Sequence, residues 1–146
     1  MRGEYRIDPD CLNAGEMGSE VEVVVPFTGL EMTAAALERA VVLTAGLEVR
    51  VLLIAVHTLP YPGPFVCPAL VHAQLVEQLM ELACDSPLPV QPQVVMARDR
   101  MEGFRYALKS CSTVLLASRR GILKTQEEKL AHGLAQAGHK VVLLHV

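Results

Sequence analysis

A chain of 146 residues, 51% of them apolar but with no Trp and only three Phe and three Tyr, fits one domain with a single aliphatic core. A formal net charge of −3 gives no basic footprint for nucleic acid or for an anionic membrane. The apolar runs are too short to span a bilayer, MRGEYRIDPD lacks the form of a signal peptide, and Cys11, Cys67, Cys84 and Cys111 stand too far apart for a zinc or disulfide framework. The expectation is a cytoplasmic protein with reduced thiols.

Residues 1–19 carry no period and read as an N-terminal arm or tether, with Asp8-Pro9 able to open one helical turn before Gly15 and Gly18 end it. The folded domain is expected over 20–146. VEVVV (21–25) reads as a short strand and Pro26-Phe27-Thr28-Gly29 as the turn after it. Thr33 is the expected cap of AAALERAVVLTAG, a helix whose Leu37, Ala40, Val41 and Thr44 share one face and which Gly46 stops in the left-handed region. VRVLLIAVH (49–57) is almost unbroken in branched aliphatics, the mark of a strand buried on both faces of a parallel sheet. After the proline-rich TLPYPGPFVCP, Pro68 opens a helix expected over 69–83, with Val71, Leu75, Leu79 and Leu82 at helical spacing.

SPLPVQP ends that helix, and QVVMA (93–97) reads as the next strand. Asp99 and Glu102 form the pattern of a capping box for a helix that turns Met101, Phe104 and Leu108 inward. TVLLAS (113–118) is a further strand. Thr125 and Glu128 repeat the capping-box pattern before a helix with Leu130, Leu134 and Ala137 inward and Gly138 as its stop, and KVVLLHV (140–146) is the last strand.

Strands alternating with helices imply parallel pairing, since each crossover needs a helix to return the chain. Right-handed crossovers then give an α/β three-layer sandwich, a five-stranded, doubly wound parallel sheet with helices on both faces. Ligands bind such sheets beyond the strand C-termini, where the strand order reverses. That rule gathers the candidate contacts: Pro26, Phe27, Thr28, Gly29, His57, Ala97, Arg98, Ala117, Ser118, Arg119, Arg120, Gly121, Lys124 and Thr125.

The residues VVVPFTGLEMTAAALERAVVLTAG, LLIAVHTLPYP and STVLLASRRG resemble the first strand, loop and helix, the second strand, and the fourth strand with its loop in the universal stress protein family. The chain is also similar to the stress-protein-like cytosolic domains of some amino-acid transporters. The resemblance spans about residues 20–146. It implies the strand order 3-2-1-4-5 and a homodimer formed through the last strand, Val142, Leu143, Leu144 and His145.

ATP-binding members of that family have an acidic residue after the first strand and a loop of the form G-x-x-G, nine residues, then G-[ST]. At the matching positions this chain has Thr28, Ala117 and Arg120, and then Leu130 and Ala131. Those glycines let backbone N–H groups approach phosphates. The resemblance therefore implies a degenerate nucleotide site, with ATP, AMP or another phosphate-bearing ligand as the only cofactor class it suggests.

From the residues themselves, Arg119, Arg120 and Lys124, with Arg98 and Arg100 from the neighbouring strand end, could build an anion site before the free N–H groups that follow Thr125. The competing account is a solvated turn whose arginines are neutralised by Glu127, Glu128 or Asp99. His57 is the one candidate base for a small α/β enzyme, and a satisfied histidine at a strand end also explains it. No histidine pair has zinc spacing, and Ser118 lacks the nucleophile-elbow pattern, so neither a metal site nor a catalytic residue is expected.

The last strand is apolar on both faces, and an exposed apolar edge needs cover. A two-fold mate is one cover, and the arm, through Tyr5, Ile7, Leu12 and Met17, is another. Three functions follow as expectations: a non-catalytic regulatory or binding module, the cytosolic regulatory domain of a transporter, and a nucleotide-binding protein or small enzyme using the Arg119/Arg120 turn.

Overall fold

The computed structural model describes residues 21–66, 68–109, 112–119 and 125–146. The arm 1–19, Cys11, Cys67, Cys111 and the turn residues Arg120, Gly121 and Lys124 lie outside them. In chain order the elements are β1 (Val21–Pro26), α1 (Leu30–Leu43), β2 (Val49–Thr58), α2 (Ala69–Asp85), β3 (Val90–Ala97), α3 (Arg100–Ala107), β4 (Thr113–Ser118), α4 (Gln126–Gln136) and β5 (Lys140–His145).

All strand pairs are parallel, and the order across the sheet is β3-β2-β1-β4-β5. The interior strands are apolar because both of their faces are covered. On one face Val23, Val25, Val51, Leu53 and Ala55 meet Met32, Ala36, Leu37 and Ala40 of α1 and Leu79 and Leu82 of α2. On the other, Val24, Ile54, Val114 and Leu116 meet Phe104 of α3, Leu108 just after it, and Leu130, Ala131 and Leu134 of α4. The result is three layers, helices over both faces of the sheet.

Several boundaries differ from the sequence reading for local reasons. α1 begins at Leu30, with Gly29 as its N-cap at φ +112. Thr33 therefore sits inside the first turn, buried, where its hydroxyl accepts the Thr28 N–H at 3.0 Å and fastens the incoming loop. β3 begins at Val90, ahead of Pro92: among the described residues β3 is an edge strand paired only with β2, and an edge strand tolerates a missing N–H. α2 runs to Asp85, and Val71 in its first turn is exposed while Leu79 and Leu82 are buried. In α4 the inward position expected for Ala137 is exposed, and Ala131 is in the core instead. Gly46 and Gly138 take positive φ, +86 and +102, after α1 and α4.

Two capping arrangements hold α3 and α4 at the strand C-terminal end. Asp99 accepts the Glu102 N–H at 3.0 Å. Thr125 and Glu128 form the reciprocal box, with Glu128 N–H to the Thr125 hydroxyl at 3.1 Å and Thr125 N–H to the Glu128 carboxylate at 2.8 Å.

Candidate functional site

β1 and β4 are neighbours whose following helices lie on opposite faces, α1 with one core and α4 with the other. This is the switch point, and the loops after β1 and β4 open a crevice there. Gly29 lets the chain turn from β1 into α1 at a φ that a side chain disfavours. Thr28, Gly29 and Phe27 are half-buried on one side, and Arg119 is exposed on the other.

The core takes several of the residues expected to touch a ligand. Pro26 and Ala117 are buried strand residues. Ser118 is fully buried, and its hydroxyl lies 2.6 Å from that of Thr125, which in turn caps α4. Leu130 and Ala131, at the positions matched to a Gly-Ser or Gly-Thr pair, lie inside α4 and face the second core. The Ser118 and Thr125 hydroxyls are thus engaged in closing β4 onto α4.

The described arginines among these residues are engaged too. Arg119 forms an ion pair with Glu31, in the first turn of α1 across the crevice. The acidic partners expected for it are used otherwise: Asp99 and Glu128 cap helices, and Glu127 stands near Arg100. Arg98 turns away from the switch point. It donates to the carbonyls of Pro60 at 2.6 Å and Gly63 at 2.8 Å, and its guanidinium lies 5.4 Å from the Tyr61 ring centre and 5.1 Å from that of Phe65. Arg100 donates to Gln126 at 3.2 Å, joining α3 to α4. Burial holds the Arg100 guanidinium below its ordinary value, with the Glu127 carboxylate opposing that shift.

His57 belongs to a different place. It lines a cleft of about 480 Å³ against α2, facing Gln74, Leu75 and Gln78. Its strand partner in β3 is Met96. Ala97 accepts the Leu59 N–H at 2.9 Å, which starts the loop that Arg98 holds. Among the described residues the expected contacts therefore fall into three groups: Pro26 to Gly29 with Ala117, Ser118, Arg119 and Thr125 at the switch point; His57 beside α2; and Ala97 with Arg98 under the 59–66 loop.

Sequence reasoning missed Glu31, Gln126 and the two aromatics of the 59–66 loop. An acid in the first turn of the helix after β1 was a usable signal for Glu31, because that turn must face the switch point. At the far side of the crevice His145 lies 3.8 Å from Glu128, and the Val146 N–H donates to the Ser118 carbonyl at 2.9 Å, so β5 closes the same corner.

Among the described residues no group of three or more His, Cys, Asp or Glu could hold a metal ion, and no helix is long and apolar enough to cross a membrane. No family model matches the chain, and no curated protein matches it in sequence. Among solved structures, a protein from the universal stress protein family of Burkholderia pseudomallei is similar with a TM-score of 0.57 at 19% sequence identity, over 89% of this chain and 98% of that one. The two share a fold.

Proposed function

We propose that this chain is a non-catalytic regulatory or binding module of the universal stress protein type, dimeric through β5, with a degenerate nucleotide site. The observation that carries the reading is the Arg119–Glu31 ion pair across the switch point. An anion entering there must displace a carboxylate anchored on α1, and it finds the neighbouring hydroxyls of Ser118 and Thr125 bonded to each other. Ala117 and Leu130, where bare backbone would have to meet a triphosphate, are core residues instead. A phosphate-bearing ligand such as ATP or AMP remains the class that the arginine could take, at reduced affinity.

The dimer rests on β5, which among the described residues is an edge strand, with Val142, Leu143, Leu144 and His145 all half-buried. Pairing with a mate would cover the outer side of that edge.

Thermal unfolding in the presence of ATP, AMP or inorganic phosphate at two salt concentrations tests the site. A ligand at a hundredfold excess over its Kd adds about 2.7 kcal/mol, several degrees in a domain of this size. The expected result is no such shift with ATP. A large ATP shift that survives Arg119→Ala would overturn the reading.

A further inference from the structure

We propose that the groove between α1 and α2, near the N-terminal end of the sheet and away from the switch point, docks an amphipathic helix of another protein that carries lysine or arginine beside its apolar ridge. The groove has a volume of about 420 Å³. Leu37 of α1 and Leu82 of α2 are its buried floor, and Ala34 and Val41 add apolar wall. Two exposed carboxylates, Glu38 and Asp85, stand on opposite sides of it. Among the described residues neither has an ion-pair partner.

The charge around the groove selects the occupant. Apart from Glu31, which Arg119 holds at the switch point, the two helices carry Glu38, Glu77, Glu81 and Asp85 against a single cationic residue of the Lys/Arg type, Arg39. The cleft between α3 and α4 on the other face is lined by Arg100 and Lys129 beside Asp99 and does not share this sign. The chain's own arm is a poor occupant, because Glu4, Asp8, Asp10 and Glu16 outnumber Arg2 and Arg6. An apolar slot between two helices takes side chains recurring at helical spacing from a third helix laid over it. Basic residues beside that ridge would meet Glu38 and Asp85, giving orientation and a salt-dependent rate of association.

The test uses the full chain and two synthetic helical peptides of about four turns. Both carry leucine at helical spacing; one has lysine beside the ridge and the other glutamate. Fluorescence anisotropy should show binding of the lysine peptide, weakened by salt, and none of the glutamate peptide. The double variant Glu38→Lys/Asp85→Lys, on exposed positions, should weaken the lysine peptide about tenfold and admit the glutamate peptide. Glu102→Lys, on the other helical face, should change neither. The proposal is overturned if neither peptide binds, if both bind alike, if Glu102→Lys weakens binding as much as the double variant, or if the double variant instead dissolves a dimer of this chain seated on the groove.

Discussion

Arg119 at the end of β4 is paired with Glu31 in the first turn of α1, so the one described cation at the switch point is held by the chain itself. Both side chains are more than half exposed, at 63% and 70%. Exposed pairs of this kind contribute about 0–1 kcal/mol, so Glu31→Gln should barely move the melting temperature. It should, however, release the guanidinium. The expected outcome is a phosphate-induced thermal shift in Glu31→Gln that exceeds the wild type's and falls away at high salt. Identical phosphate responses in the two proteins would show that the pair does not guard the crevice.

Arg98 illustrates a cation doing structural work. Its guanidinium ties Pro60 and Gly63 and packs between Tyr61 and Phe65. Charged hydrogen bonds contribute about 1.5–3 kcal/mol each when sheltered, and less here because one lies in solvent. Arg98→Ala should therefore destabilise the protein by about 1–2 kcal/mol. Arg98→Lys should recover only part of the loss, since an ammonium lacks the planar fork and stacks poorly. Amide exchange at Gly63, whose N–H donates to Pro60, is the local readout and should accelerate in both variants.

These two arginines also mark how far the sequence could be read. The alternation of strands and helices was legible because interior strands such as β2 and β4 must be apolar on both faces, and because Asp99, Thr125, Gly46 and Gly138 carry local chemistry that ends or begins helices wherever it occurs. The strand order followed from resemblance. The start of β3 was misread because Pro92 suggests a break, and only the position of β3 at the sheet edge makes it harmless. The pairing at the site was harder to read. Arg119 and Glu31 are 88 residues apart, and the one local signal for Glu31, an acid in the first turn after β1, competes with Asp99 and Glu128, which lie closer in sequence. Arg98 read as an anion ligand because its engagement depends on how the 59–66 loop folds back over the end of β3.

Two glycines on the α3/α4 face should respond in opposite ways to the same substitution. A Cβ at Gly103 would lie 2.5 and 2.9 Å from the two methyls of Val56 and 3.1 Å from the Ala97 Cβ. These neighbours belong to β2 and β3 and have little room to yield, so Gly103→Ala should lift α3 from the sheet and cost about 1–3 kcal/mol. At Gly133 the obstacle is the flexible end of Met101, which can swing aside. Gly133→Ala should be neutral or stabilising by up to about 1 kcal/mol, the helix-propensity gain. Urea unfolding of both variants checks the pair, and equal destabilisation would contradict the packing described.

Stability should also depend on His139. Its Nδ1 accepts the Ser112 N–H at 3.3 Å, and burial pushes its pKa below the ordinary histidine value. The neutral ring is therefore favoured in the fold, while the unfolded chain takes up a proton more readily. Stability from this group is intact above the unfolded pKa of about 6.5 and falls as pH drops from there through the lower folded value. Unfolding free energies measured between neutral and mildly acidic pH should decline, and His139→Asn, which keeps an acceptor without the titration, should flatten that decline. An unchanged slope in the variant would assign the pH dependence to other groups.

The edge strand β5 gives the remaining prediction. Leu144 packs partly against the α1/α2 core, and its strand neighbour is Ala117. A two-fold mate alongside β5 would bring the second Leu144 or its neighbours close enough to bury what remains exposed. An aspartate there would place one charge per protomer in that junction, and burying an unpaired carboxylate costs several kcal/mol. Leu144→Asp should therefore elute as a monomer beside a dimeric wild type. Because the substitution also touches the core, circular dichroism must show that it still folds. Independently, sedimentation of the wild type over a dilution series should show reversible dissociation; a wild type that stays monomeric at every concentration removes the edge-strand dimer whatever the variant does.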